Sequence, residues 1–304
     1  MDMDMMQISE KARRRLANCM LLFTGALWGG GFVVMKNALD AIPVNYLLAM
    51  RFSIGALGLC YTLFSKTHPL NKRVLLGGVA TGFFMYAAFA TQTYGLMFTT
   101  AGKNALITAV YVVLVPLVLW AWRGVKPTRR IMGSAAIMLA GVALLSLQGE
   151  GGVNIGDFLT FLCGILYAVH ICVVDAFADQ DVMQLTCLQF TFAALFAWMG
   201  GLAFETFPAA FTLDMVGALA YCGICATLLA LTMMNIGIKY ATPAYASLFM
   251  STESAFGCLF GVIFLGEAFT GRMAVGCLLI LGALVLSQLP QRRHAPAPAP
   301  SQSQ

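Results

Sequence analysis

The chain has 304 residues, 60% of them hydrophobic and only 10% charged, with a formal net charge of +5. A soluble domain carries about 25% charged residues, so too little polar surface is present to cover a water-facing body, and the mean hydropathy of +0.83 turns the apolar residues toward lipid. The positive balance is not a nucleic-acid signature, because most basic residues sit in short stretches between apolar runs, where they set orientation in a membrane.

Lys11, Arg13, Arg14 and Arg15 precede an apolar run that begins at Leu16. That run is too long for a signal-peptide core and has no Ala-x-Ala site after it, so it reads as a retained first helix. Ten apolar segments follow one another at roughly 16–38, 45–64, 74–98, 102–122, 128–147, 155–177, 184–204, 213–238, 244–265 and 271–289. Several reach the ~20 residues that cross a bilayer. The separators carry turn residues or charges: Pro43, His68-Pro69, Lys126-Pro127, Gly149 to Gly152, Asp179 to Asp181, Pro208, Pro243 and Gly266-Glu267. Backbone in lipid must satisfy its own hydrogen bonds, and no strand-like alternation is present, so the segments are helices. The fold class expected is an all-α integral membrane protein with ten transmembrane helices.

Ten spans place both termini on one side. Lys11 to Arg15, Lys66, Lys72, Arg73, Arg123, Lys126, Arg129, Arg130, Lys239, Arg292 and Arg293 fall on that side. The opposite side holds Lys103 and Arg272, with Lys36 and Arg51 near helix ends. The imbalance puts both termini in the cytoplasm. Residues 1–15 are then a cytoplasmic N-terminal segment. The Ala-Pro repeats from Ala295, within a tail over 290–304, are expected to be extended and disordered, or an appended expression tail.

Gly95 aligns with Gly237 and Thr100 with Thr242, at a spacing of 142; Gly141 aligns with Gly282 and Ser146 with Ser287, at 141. Segments three to five thus echo segments eight to ten. A five-helix unit (16–147, then 155–289) has an odd number of spans, so two copies must insert with opposite topology. Inverted repeats mark secondary transporters, with substrate near the midplane where the halves meet.

Trp28-Gly29-Gly30-Gly31-Phe32, Arg51-Phe52, Pro116, Thr252-Glu253-Ser254, Gly257, Phe260-Gly261 and Leu265-Gly266-Glu267 together resemble the signature of EamA-type drug/metabolite transporters. The resemblance covers about 16 to 289. It implies ten helices in two inverted halves around a central cavity, with export of amino acids or related metabolites as the usual activity. It also implies the plasma (inner) membrane as the location. Ser254 stands where the family usually has proline, which removes the residue that would kink the ninth helix. Lys126 stands where the first-half copy of Leu-Gly-Glu would place its acid, so the halves are not equivalent in function.

Ionisable residues inside membrane helices are functional candidates by default. Glu253, about nine residues into the ninth segment, either exchanges a proton or binds a substrate amine, against a structural hydrogen bond as the plainer reading. His170, one turn after Tyr167, is a second proton-coupling candidate or a satisfied core histidine. Arg51 either holds a substrate carboxylate or snorkels to the outer interface, and the second reading is favoured. Lys103 and Asn104 open the fourth helix, where an anion could sit or the chain could simply be anchored. Gln92, Tyr111, Asn235 and Tyr245 lie on helices that line the family's cavity, and Trp28 is deep enough to form an aromatic wall. The candidate cavity is therefore Trp28, Gln92, Asn104, Tyr111, Tyr167, His170, Asn235, Tyr245 and Glu253.

The chain has no phosphate-binding loop of the Walker type, and no loop long enough for a nucleotide-binding domain, so ATP drive within it is excluded. An intramembrane enzyme would need an acid pair, an activated nucleophile or metal ligands. His68 and His294 are too remote to join His170, and Asp175, Asp179 and Asp181 read as a charged loop. The Cys222-x-x-Cys225 pair has no further ligands in view and reads as helix packing. No filter motif or charge ring marks a channel, and passive facilitation stays as the alternative to a carrier. The expected partners are a small-molecule substrate and the bilayer. No cofactor or nucleic acid is expected, and no feature fixes an oligomeric state.

Overall fold

The computed structural model describes residues 2–39, 41–65, 69–99, 101–146, 154–265 and 270–289. Thr100, the Gly149 to Gly152 and Gly266-Glu267 separators and the tail from Ala295 lie outside the described residues, as do the side chains of Lys36, Lys103 and Ser146. The described residues form helices joined by short connections, in ten rods. α1 is Asp2–Leu39, α2 Val44–Leu59 with a 3-10 extension Cys60–Phe64, and α3 Lys72–Phe98. The fourth rod is α4 (Ala101–Thr108) and α5 (Tyr111–Arg123); then come α6 (Arg129–Ser146), α7 (Ile155–Ala176) and α8 (Val182–Phe204). The eighth rod runs through α9 (Leu213–Ala220), a π-helical stretch Tyr221–Leu229 and α10 (Ala230–Tyr240). The ninth is α11 (Pro243–Met250) and α12 (Glu253–Leu265), and the last is α13 (Gly271–Gln288). Among the described residues, six rods are long and apolar enough to cross a membrane by length and composition, and Gly271–Ser287 is a shorter apolar one.

The rods end where the sequence supplies caps. Asn71 accepts from the Val74 N–H, Asn154 and Asp157 form a capping box, and Asp181 accepts from Met183 and Gln184 N–H. These side chains satisfy donors that a helix start leaves open. α1 departs from expectation, since the helix begins at Asp2 instead of near Leu16. The Arg14–Glu10 pair, one turn apart at 3.1 Å, supports this extension in water.

The two halves pack by the same plan. α3 lies along α7 as α10 lies along α1; α5 meets α7 as α12 meets α1; α2 crosses α8, and α6 crosses α13. Gly95 rests against Gly156 and Thr160 of α7, and its partner in the repeat, Gly237, rests against Leu21 of α1. The fold is thus two five-helix repeats of a membrane protein, and the 142-residue echo is carried by packing. The second expected glycine match is not: Gly141 is pressed against α13, whereas Gly282 has nothing near it. Phe64, Phe204 and Leu213 are over 80% exposed on the outside of the bundle, a surface suited to lipid contact and not to water.

Candidate functional site

The site begins at two helix breaks. Ala109–Val110 interrupts the fourth rod and Ser251–Thr252 the ninth, 142 residues later. Several backbone bonds around them match: Val110 N–H to Ile107 O and Thr252 N–H to Phe249 O are both 3.2 Å, and Val113 to Val110 at 3.0 Å parallels Ala255 to Thr252 at 2.9 Å. Ser254 in place of proline does not straighten the ninth rod. The Ser251 hydroxyl donates to Ser247 O and the Thr252 hydroxyl to Phe249 O, and such back-bonding bends helices without proline. Gly25 and Gly29 let α1 close on this break, where an added methyl at Gly29 would stand 2.6 Å from Glu253 O.

Between the halves lies a contracted cavity of about 30 Å³. A water needs roughly 10–15 Å³, so this conformation admits about two waters and no metabolite. Its walls are aromatic and apolar: Trp28, Phe89, Tyr111, Tyr167, Met35 and Cys222. Trp28 donates to Ala226 O at 3.0 Å and meets the Tyr167 ring edge-on, with centroids 6.2 Å apart. Gln92 reaches the cavity edge and donates to Thr108 Oγ1 at 3.2 Å.

Two ionisable groups share this cavity, Arg51 and Glu253. Arg51 does not snorkel to an interface. It is 1% exposed, with Nε donating to Thr227 Oγ1 at 2.7 Å, Nη2 to Ala226 O at 3.4 Å, and the guanidinium over the Phe89 ring at 4.6 Å. Its anchors sit on the π-helical stretch, a geometry common at functional sites because it re-aims backbone groups. Glu253 is 4% exposed. Among the described residues no hydrogen bond or ion pair to its carboxyl is formed, and none joins it to Arg51. Among the described residues neither group is paired with an opposite charge of the protein, and a buried charge without such a partner is costly.

The structure separates the nine candidates. Trp28, Gln92, Tyr111, Tyr167 and Glu253 line the cavity. Asn104 does not; its Nδ2 ties α4 to Gln92 O and to Thr160 Oγ1, at 3.0 and 2.9 Å. His170 lies behind Tyr167 (centroids 6.3 Å apart), fully buried, with neither ring nitrogen at hydrogen-bond geometry although Gln189 is close enough to interact. Asn235 joins a separate buried cluster, donating to Thr186 Oγ1 and Gln189 Oε1. Tyr245 lines a different pocket near Arg14.

Arg51 and Glu205, the acid that follows α8, are what sequence reasoning missed or placed elsewhere. Glu205 caps α2, accepting from Asn45 N at 2.9 Å and Tyr46 N at 3.2 Å, and also from the Tyr94 hydroxyl at 2.7 Å. Tyr86 donates to Asn45 Oδ1 at 2.8 Å and completes the network. At the opposite end Arg73 of α3 pairs with Asp179 in the loop after α7, and Arg123 of α5 pairs with Asp175 in the last turn of α7.

Residues 15–147 and 154–289 each match the EamA-like transporter family. The chain is 27% identical over 282 residues to an uncharacterized transporter of Archaeoglobus fulgidus, covering 92% of this chain and 88% of that one. It is 25% identical to the uncharacterized transporter YrdR of Bacillus subtilis, over 90% of this chain and 94% of YrdR. YvbV of the same organism, also an uncharacterized transporter, is 24% identical over 88% and 90%. A protein of known crystal structure shares the fold with a TM-score of 0.75 at 19% identity, covering 90% of this chain and 96% of that one. With both halves matched and whole-length relatives of one kind, the chain belongs to the EamA-like transporter family and is a multi-span membrane transporter.

Proposed function

We propose that the protein is a secondary carrier that exports small zwitterionic metabolites, amino acids first among them, by alternating access. The observation that supports this is the pair Arg51 and Glu253, a buried cation and a buried carboxyl facing one cavity without being paired to each other. A zwitterion supplies the missing partner to each: its carboxylate to the planar guanidinium fork, its ammonium to Glu253. The aromatic walls take the side chain. Glu253 is also the group through which proton coupling would run, taking a proton when the substrate leaves and giving it up when the ammonium returns. His170 is too far back to touch substrate and would act only through Tyr167. The contracted cavity fits an occluded intermediate in which neither side is open to solute. The orientation that places the basic helix ends in the cytoplasm and the plasma membrane as location belong to the same reading.

Counterflow in proteoliposomes tests it. Vesicles are loaded with a mixture of unlabelled amino acids, and uptake of each label is followed without an imposed gradient. Transient accumulation of particular amino acids is expected. If folded protein accumulates none of them, amino acids are removed as substrates; flux that never saturates points to a passive facilitator.

A further inference from the structure

A second pocket, of about 420 Å³, opens at the end of the bundle that carries the basic helix ends. It lies between the start of the apolar part of α1, the last turn of α10, the start of α11 and the last turn of α13. Its chemistry is unlike that of the central cavity. Two cations line it, Arg14 and Lys239, with Asn18, Tyr240, Thr242, Tyr245 and Ser287. No acid lines it. Lys239 spends one donor on Gln180 O at 3.2 Å. Arg14 donates to Glu10 at 3.1 Å, but both side chains are two-thirds exposed, and such a pair is worth little. Thr242 starts α11 without using its hydroxyl as a cap.

We propose that this pocket binds the phosphate of an acidic phospholipid headgroup, with Arg14 and Lys239 as its charged ligands. Three observations converge on that ligand. The volume suits a headgroup and exceeds that of a bare ion. The lining offers donors and positive charge, which a phosphate diester needs. Arg14 stands two residues before the apolar run of α1 and Lys239 one residue before the end of α10, so both sit at the depth where a lipid headgroup lies. Basic pockets between membrane helices at this level recognise anionic lipid. Arg13 and Arg15 on the same helix end add to the local field. The inference is independent of the substrate reading, since none of these residues touches the central cavity.

Thermal unfolding of the purified full chain in detergent micelles tests it, with phosphatidylglycerol, phosphatidylcholine or inorganic phosphate added in separate arms. The expected result is a Tm rise of several degrees with phosphatidylglycerol and none with phosphatidylcholine or inorganic phosphate. The Arg14→Gln/Lys239→Gln double variant should lose more than half of that rise, while Lys72→Gln, exposed on α3 at the same end, should keep it. A full rise in the double variant overturns the site. A full rise with inorganic phosphate alone overturns the lipid as its source. If the double variant is unfolded before lipid is added, the single Arg14→Gln protein, altered only at an exposed side chain, carries the same comparison.

Discussion

Tyr111 and Glu253 occupy one structural position in the two halves: each is the first residue after the break in its rod, and they lie 142 residues apart. Both face the same cavity. The repeat therefore supplies one scaffold, and the exchange of a phenol for a carboxylic acid at one site places a carboxyl at this position in the second half alone.

That asymmetry sets the first prediction. Glu253→Gln should lower substrate exchange at least tenfold, since a hydrogen bond to a charged group is worth about 1.5–3 kcal/mol and tenfold is about 1.4 kcal/mol. Tyr111→Phe should stay within about threefold of wild type, because the Tyr111 hydroxyl, beside Ser251, has no partner at hydrogen-bond geometry to lose. Initial rates of labelled exchange in proteoliposomes decide it, and equal losses in both variants would remove the special role of the carboxylate.

Arg51 should behave as a ligand-binding group and not as a stabilising one. Arg51→Lys keeps the charge but not the planar fork, and its KM should rise about tenfold or more. Arg51→Met removes a desolvated cation that has no acid within ion-pair reach among the described residues, so its Tm without substrate should be unchanged or higher. A large fall in Tm of Arg51→Met would show that the guanidinium holds the bundle together through Thr227 and Ala226.

Glu205 should do the reverse. Glu205→Ala leaves the first N–H groups of α2 uncapped and the Tyr94 hydroxyl without its acceptor, at a cost of about 1–3 kcal/mol. Thermal unfolding should show the loss while KM stays at the wild-type value. A changed KM with unchanged Tm would make Glu205 part of the solute path.

The glycines of α1 separate packing from gating. Gly29→Ala places a methyl against the backbone of Glu253 and Gly257 and should lower stability by about 1–3 kcal/mol. Gly30→Ala meets the Tyr221 hydroxyl, the far end of a side chain that can shift at the expense of its bond to Leu27 O, so its stability should fall less than that of Gly29→Ala. If its exchange rate is intact, flexibility at Gly30 has no part in transport.

The bounds of the rods after α1 were legible because lipid imposes a length and an apolar composition on each rod, whereas the start of α1 at Asp2 lies in a polar stretch that carries no such signal. The repeat was legible at Gly95 and Gly237 because both mark close helix contacts. The break in the ninth rod was not, because hydroxyls of Ser251 and Thr252 do what a proline signal would have announced. Arg51 was misplaced for a related reason: seven residues into α2, a lone arginine can reach an interface or be enclosed, and only the approach of Phe89 and the π-helical stretch decides between them. Asn104 and Asn235 are polar and mid-membrane, as cavity residues are, yet each spends its amide on holding helices together. Composition cannot distinguish these uses, since both call for the same side chain at the same depth.

The central claim is that Arg51 and Glu253 hold the two poles of one solute. Competition against labelled amino acid exchange measures it, using three unlabelled compounds with the same side chain: the intact amino acid, its decarboxylated amine and its deaminated acid. The account predicts strong inhibition by the amino acid and at least tenfold weaker inhibition by either single-charge analogue, with the difference for the acid-lacking amine abolished in Arg51→Met. Equal inhibition by all three compounds would contradict it and leave the aromatic walls as the only recognition the cavity provides.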